Sequence, residues 1–479
     1  MIQPFQLNVS PHAGEVDFSV LDDVDRDVSV IDPVSVADLL RNAFVYPPHS
    51  IYPDVKVVGN GFDPEQDMRG EPQFHFAYQS PPASLRPPAR VADEPALLKT
   101  YHRRLCDAVA RSTSGMQSPW LLHSGGKDST SVAIAVAEVR PQTTSLTYLG
   151  GSEENELASA GAVARQLGLR HEALICDPGR AYDRYLAIVP RMPLLTADFA
   201  LLSYADLATE IGGRGGDGII DALGSDSYFG TPVHGRQRVL AMLARRLWLP
   251  QSLFSSPLVR RSFKLCYALA TLQMVSFERR FPGSRFSDAE VDALFGRQIA
   301  ARSRQRLQPY RADIAAATSA EAVSRIAMAL VEESAFAKGL YVTRALRLRL
   351  AFPYCDAQLR DWIFHDVPDA LLIGPGGVNK LLVRKHIALH FRQLPYVQAK
   401  GCFRFDVRGL ARERFDQVHA FAVQCSDPLP GAVRWLELHR KRLDNKYFAS
   451  KFYLLAITLP WLLSRTLGPL PAATEEFSA

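Results

Sequence analysis

The chain lacks most of what would mark a secreted, membrane-spanning or metal-stapled protein. Its 479 residues hold six cysteines (Cys106, Cys176, Cys266, Cys355, Cys402 and Cys425), scattered and without a Cys-x-x-Cys pair. That argues against a zinc knuckle and a disulfide framework, and it suits a reducing cytoplasm. The most apolar stretch, Phe452 to Leu463, is too short to cross a bilayer and carries Pro460, so a C-terminal helix packed on the core is expected and no membrane association. The acidic, proline-broken N-terminus does not read as a signal peptide. Charge of one sign is scarce too: the formal net charge is +5, with 22% charged and 47% hydrophobic residues, ordinary values for a globular protein. Arginines do cluster, at Arg245-Arg246, Arg260-Arg261, Arg279-Arg280, Arg302 to Arg311 and Arg344 to Arg349. Solvated helix faces are the main expectation for them, an anionic partner such as RNA, an acidic peptide or another subunit the alternative. There is no internal repeat, and the length implies two or three domains.

What the chain does have is one short run at residues 121–130, Leu-Leu-His-Ser-Gly-Gly-Lys-Asp-Ser-Thr. An apolar strand, Trp120 to Leu122, leads into Ser124-Gly125-Gly126-Lys127-Asp128-Ser129. A helix-period stretch follows, with Val132, Val136 and Val139 on one face. Two glycines open backbone conformations that a Cβ forbids and allow close approach to an anion. Ser129 and Thr130 are expected to open a helix whose N–H groups and dipole favour a phosphate. The run therefore predicts a pyrophosphate cradle. It is not a Walker loop, because the second glycine of Gly-x-x-x-x-Gly-Lys-Ser/Thr is missing at that spacing. A carboxylate beside a polyphosphate, here Asp128, is repelled unless a divalent cation lies between them, and Mg²⁺ suits that arrangement.

Along the chain, residues 1 to about 95 are broken by prolines, with short alternating pieces at 54–58 and 73–78, and read as a small strand-rich region. Pro81, Pro82, Pro87 and Pro88 mark a linker, and a helix is expected from about Pro95 to Ser112. After the glycine loop, strands at 144–148, 172–175 and 218–223 alternate with a helix over 153–167 that stops at Gly168. This alternation predicts an α/β fold, a parallel sheet with helices on both faces and ligands beyond the carboxyl ends of the strands. From about residue 235 onward the pattern is almost entirely helical, with Ser287-Asp288-Ala289-Glu290 as a capping box opening one long helix.

The segment Ser124 to Ser129 resembles the PP-loop, Ser-Gly-Gly-x-Asp-Ser, of ATP pyrophosphatases. Further landmarks over residues 95–420 resemble, in order, the synthetase domain of asparagine synthetase, β-lactam synthetases and lasso-peptide cyclases. They are Glu156 with Ala160, Val163-Ala164, Leu167-Gly168 and His171; Ala222 to Gly230, with Gly224-Ser225-Asp226; and Pro353-Tyr354-Cys355-Asp356 with Leu359 and Val367-Pro368. Asn379-Lys380-Leu381-Leu382-Val383-Arg384, then Leu394-Pro395 and Lys400-Gly401-x-Phe403, complete the series. The resemblance implies a PP-loop, adenine nucleotide α-hydrolase-like core over 93–235, a mostly helical part over 236–479, and ATP and Mg²⁺ as cofactors. It implies an AMP-forming carbon–nitrogen ligase that adenylates a carboxylate, releases pyrophosphate and passes the acyl group to an amine. By the same resemblance Ser124, Gly125, Gly126 and Ser129 hold the departing pyrophosphate, and Gly224 of the second loop is a further cofactor-binding residue. Asp128 and Asp226 are the Mg²⁺ ligands, and Lys380 and Asp226 the catalytic residues. Lys127 is either a further phosphate contact or a solvated loop lysine.

Residues 35–40 and 47–56 resemble the end of the family's glutaminase domain, so 1–92 reads as a truncated remnant. Position 2 holds Ile2 where that domain carries its catalytic cysteine, and no glutaminase activity is expected. The amine then comes as free ammonia, from a partner protein, or from the substrate itself. Two departures bear on the reaction. Asp226 is followed by Ser227 where the family has Glu, and Arg349-Leu350-Ala351 stands where the family has Glu-x-Arg. These departures motivate an alternative, a catalytically degenerate ATP-binding partner in a biosynthetic complex or homo-oligomer. A PP-loop tRNA-modifying enzyme is a more distant alternative, since no thiol pair is placed for sulfur transfer and nucleic acid is not otherwise called for.

Overall fold

Trp120, Leu121 and Leu122 alternate between two hydrophobic cores, and the centre of the fold is built on that alternation. Trp120 and Leu122 point into one core with Leu146, Tyr148, Leu174 and Ile219, while Leu121 points into the other with Ile220, Val132 and Val136. Successive strand side chains face opposite sides, so a strand covered on both faces reads as an unbroken apolar run. The structure, a computed structural model, describes residues 5–22, 30–59, 93–150, 154–230, 232, 261–274, 277–278, 284–317, 320–393 and 405–466. The expected strand at 73–78, the proline linker, the arginine pairs at 245–246 and 279–280, and the motif residues 394–395 and 400–403 lie outside the described residues.

The strands are β1 (Phe5–Asn8), β2 (Val55–Val58), β3 (Pro119–Leu122), β4 (Thr144–Leu149), β5 (Arg170–Ile175), β6 (Gly218–Ile220), β7 (Arg349–Ala351), β8 (Ile373–Gly374) and β9 (Val378–Asn379). The principal helices are α1 (Pro33–Asn42), α2 (Glu94–Ser112), α3 (Lys127–Val139), α4 (Glu154–Leu167), α5 (Pro178–Ile188), α6 (Leu201–Gly213) and α7 (Asp226–Phe229). They continue with α8 (Asp288–Phe295), α9 (Ala320–Leu346), α10 (Ala357–Asp366), α11 (Leu381–His390), α12 (Val407–Gln424), α13 (Ala432–His439) and α14 (Lys446–Thr466).

Five strands form one parallel sheet in the order β5-β4-β3-β6-β7. The chain winds outward from β3 through β4 to β5, then returns to place β6 on the other side of β3. The order reverses between β3 and β6, and a crevice opens at such a reversal beyond the strand ends. The parallel α/β class read from the sequence is the observed one. The N-terminal pair β1–β2 is a separate two-stranded parallel sheet, whose Leu7, Val55 and Val57 share a core with α1 and with Trp435 and Trp461 of the C-terminal helices.

Two local readings need correction. The helix after the glycine loop begins at Lys127 with Gly126 as its N-cap, not at Ser129, so the loop is tighter than expected. The capping box at Ser287 and Glu290 forms as read, but it opens only the eight-residue α8, because Gly296 takes φ +63 and ends it. The second half is mostly helical as read, with Arg349–Ala351 returning as the edge strand β7, paired with β6. Three residues carry no measurable periodicity, so their register comes from the neighbouring strand alone. The C-terminal helix α14 is buried through Phe452 to Leu463 as expected, with Pro460 inside it. Among the described residues no helix is long and apolar enough to cross a membrane.

Candidate functional site

Both loops at the sheet's reversal end on glycines that no other residue would replace without strain. Gly125 has φ +67, and a Cβ there would lie 2.8 Å from the Glu156 backbone carbonyl. Gly224, after β6, has φ +107, and its Cβ would lie 2.5 Å from Cys355 Sγ. The PP-loop is folded on itself by short polar contacts. Ser124 Oγ and Ser129 Oγ are 3.2 Å apart, Ser129 Oγ donates to the Gly126 carbonyl at 3.1 Å, and the Gly126 N–H donates to Ser124 Oγ at 3.4 Å. Gly126 has extended backbone and α3 has no side-chain cap. A helix start without a side-chain cap is an arrangement that suits an anion.

Asp128 leaves the first turn of α3, and Asp226 opens α7 after the β6 loop. Between them sits Lys380. Its Nζ is 3.0 Å from Asp128 Oδ1, 2.6 Å from Asp226 Oδ1 and 2.6 Å from Ser225 Oγ. Its side chain is 1% exposed, and Nζ lies 5.9 Å from the centre of the Phe229 ring. Burial works against the ammonium, but the Asp128 and Asp226 carboxylates outweigh it and hold the group protonated well above the usual lysine range. Lys380 is also one of three non-glycine residues with positive φ among the described residues, at +54. It stands at the N-cap of α11, and its N–H donates to the Leu372 carbonyl at 2.7 Å. Left-handed backbone in a lysine is strained, and such strain collects where a side chain must be aimed.

All nine residues singled out in the sequence, Ser124, Gly125, Gly126, Lys127, Asp128, Ser129, Gly224, Asp226 and Lys380, lie on the loops and helix ends around this crevice. Lys127 is not a solvated loop lysine: its side chain is largely covered, with Nζ 3.8 Å from Asp128 Oδ2. Asp356, by contrast, is occupied in structure. It caps α10 through the Leu359 N–H at 3.0 Å and takes both 2.9 Å bonds of the Arg111 guanidinium.

Three participants were not singled out beforehand. Ser225 lay inside the quoted loop without distinction from its neighbours. Glu332, on α9, accepts from the Asp226 and Ser227 N–H groups, the latter at 3.0 Å, and its Oε2 is 3.6 Å from His12 Nε2. The signal for it was an acidic pair, Glu332-Glu333, embedded in the apolar run after Leu330-Val331. His123, which precedes the PP-loop, is buried, with Nε2 unpartnered among the described residues; burial, then the neighbouring His171, pushes it down to about 3.

A carboxylate pair flanked by an uncapped helix N-terminus is the donor set of a magnesium–polyphosphate site. Asp128 and Asp226 fit such an ion, and the glycine cradle leaves room that a Cβ would fill. Comparison with known proteins bears on what this crevice is. No curated protein matches the chain. Among solved structures it is similar to an NMN synthetase from Francisella tularensis, with 16% identity over 44% of this chain and 91% of that chain. The TM-score is 0.21, a likeness that carries no argument about fold or chemistry. Residues 100–395 match the family described as asparagine synthase. That span covers well over half of the chain and takes in both loops and Lys380, and the chain belongs to the asparagine synthase family.

Proposed function

We propose that the protein is an ATP-dependent, AMP-forming carbon–nitrogen ligase. A substrate carboxylate oxygen attacks the α-phosphorus of ATP, the bond to the α–β bridging oxygen breaks, and pyrophosphate leaves. The nitrogen of an amine then attacks the acyl carbon, the bond from that carbon to the AMP oxygen breaks, and an amide remains. The observation that carries this reading is the meeting of three distant segments at one point: Lys380 Nζ within 3.0 Å of both Asp128 and Asp226, directly beside the glycine cradle.

The backbone N–H groups at the start of α3 and the Ser129 hydroxyl receive the pyrophosphate oxygens. Asp128 and Asp226 would hold Mg²⁺, which supplies charge neutralisation on the phosphates when bound. Lys380 places a fixed positive charge where negative charge grows as the α–β bond breaks, a contribution that strengthens toward the transition state. Its three partners keep it from swinging, so little reorganisation is needed. The amine donor is ammonia or an amine of the substrate, and ring closure on one molecule and ligation of two use the same steps.

The test is exchange of labelled pyrophosphate into ATP with Mg²⁺, over pools of amino acids, dicarboxylates and peptides. Exchange that depends on one pool and vanishes in Asp128→Ala, with the fold intact by circular dichroism, is the expected result. Unchanged exchange in that variant overturns the metal assignment. ATP binding without exchange in any pool favours the degenerate-partner reading instead.

A further inference from the structure

Away from the PP-loop, three histidines meet where α2, α3 and α11 pack together. We propose that His102, His386 and His390 form a binding site for one divalent transition-metal ion of the zinc type. Each residue offers a ring nitrogen, and the three lie within 4.8 Å of one another. His386 and His390 are one helical turn apart on α11, so both face the same neighbour, and His102 comes to them from α2. The ring centroids are 5.1 to 5.3 Å apart. His102 Nδ1 is 3.0 Å from His386 Nε2. Two nitrogens on one tetrahedral zinc, at about 2.0–2.1 Å each, are about 3.3 Å apart. That pair is already close to the spacing an ion needs, and His390, within 4.8 Å of both, would close on the ion by ring rotation.

The outer nitrogens are held as those of metal-bound histidines are held. His102 Nε2 is 2.9 Å from Glu138 Oε2. A carboxylate only accepts, so that nitrogen carries the proton and Nδ1 presents a lone pair toward His386. His386 Nδ1 is 2.9 Å from Ser131 Oγ, which is 3.0 Å from Tyr101 Oη. Without metal, the Ser131 hydroxyl donates to Nδ1 and the His386 Nε2–H donates to His102 Nδ1. With metal, the His386 proton sits on Nδ1 and Ser131 accepts it, turning its own hydroxyl hydrogen toward Tyr101. The ring stays neutral in both states, so no net proton is gained or lost there. His390 is exposed, leaving the fourth position to water.

A second donor group, His102, Cys106 and Glu138, shares one histidine with the first. Cys106 Sγ is 3.7 Å from His102 Nε2, the nitrogen already committed to Glu138, so this group competes with the bond that orients the ring. The three-histidine set needs no such exchange. Its place in the fold gives an ion leverage. The ion would tie α11, whose N-cap is Lys380, to α2, and the groups that orient its ligands, Glu138 and Ser131, lie on α3, which begins at the PP-loop.

The test is titration of the full chain with Co²⁺, read by its visible d–d absorption, in the presence of excess Mg²⁺. One equivalent binds the wild type, and Zn²⁺ displaces it. His390→Ala, a surface change whose folding is checked by circular dichroism, weakens binding at least about tenfold. Asp128→Asn and Cys106→Ser leave it unchanged. No saturable uptake by the wild type, or equal uptake by His390→Ala, overturns the proposal. Loss in Cys106→Ser with retention in His390→Ala assigns the metal to the other group and overturns it equally. Loss in Asp128→Asn places the ion at the PP-loop and does the same.

Discussion

Replacing Lys380 with methionine removes the ammonium between Asp128 and Asp226 and keeps most of the side chain's length. In the intact site Nζ is 3.0 Å and 2.6 Å from the two carboxylates, with the lysine 1% exposed and the carboxylates 18% and 26% exposed. Lys380→Met leaves both carboxylates facing an apolar group. Removing one partner of a buried ion pair costs about 3–5 kcal/mol, because an uncompensated charge stays behind. Partial access of water to both carboxylates puts this case at the lower end, about 3 kcal/mol. If that origin is right, neutralising the carboxylates as well should restore the larger part of the loss. Asp128→Asn with Asp226→Asn and Lys380→Met should then be about 2 kcal/mol more stable than Lys380→Met alone. The assay is urea unfolding followed by circular dichroism without Mg²⁺, comparing midpoints at constant slope. Millimolar Mg²⁺ should raise the midpoint of Lys380→Met more than that of the wild type, since a cation between the carboxylates replaces the missing charge. Pyrophosphate exchange should fall by about a hundredfold or more in both variants, with ATP binding spared in Lys380→Met. A triple variant less stable than Lys380→Met, its losses simply additive, would refute the coupling on which this reasoning rests.

Two further outcomes follow from the same neighbourhood. Gly125→Ala forces a Cβ into left-handed backbone, costing about 1–2 kcal/mol, and sets it 2.8 Å from the Glu156 carbonyl; exchange activity should drop at least about tenfold with the fold retained by circular dichroism, and undiminished exchange would mean the cradle does not need its present shape. His123 should make stability depend on pH. Its folded pKa, pushed down to about 3 by burial and then by His171, lies below the unfolded value of about 6.5, so the unfolded chain binds the extra proton between these limits. Its contribution is complete above about pH 6.5 and is lost as pH falls toward 3, by about 1.4 kcal/mol per unit. The difference between pH 6.5 and 5 is about 2 kcal/mol, and urea midpoints of His123→Leu should show a correspondingly shallower slope; equal slopes would remove His123 from the account.

How much of this was legible in the sequence depends on how local the cause is. The PP-loop could be read because strand, glycines and helix start are contiguous: Trp120 to Val136 carries its own periodicity and its own turn chemistry. The pairing of Asp128 with Asp226 was legible only through the resemblance, since nothing in either loop encodes the return of β6 to the flank of β3. Lys380 is a sharper case. Its motif placed it near the phosphates, but the left-handed backbone that aims it follows from its position between β9 and α11, and propensity favours no such conformation in lysine. The edge strand Arg349–Ala351 was missed because three residues give no period to count, and its register is set by β6. Glu332 was missed for the opposite reason. It belongs to a 27-residue helix, where an acidic residue reads as surface, and only the packing of that helix against α7 turns it inward. The arginine-rich segment behaves similarly: Arg306 reads as a solvated charge, yet it is spent on Asp38 at 2.7 Å and on Asp32.

Ser227 and Glu332 are best understood together. Two helix starts converge on the crevice, α3 from the PP-loop and α7 from the β6 loop. Backbone N–H groups at a helix start attract anions wherever they are left unpaired. At α3, among the described residues, no side chain caps the helix start. At α7 the Asp226 and Ser227 donors already belong to Glu332, and the carboxylate that takes them repels a second anion. In the function proposed here, the phosphates settle on the start of α3, the helix whose loop also carries Gly125 and Ser129. What the β6 loop offers instead is Asp226, a group for cations. Lys380 is the cation that it meets now, bound at the same time to Asp128 from the other loop. The two loops thus differ in the charge they accept, and the lysine sits on the boundary between them, where phosphate on one side and a divalent ion on the other would each alter its balance of partners.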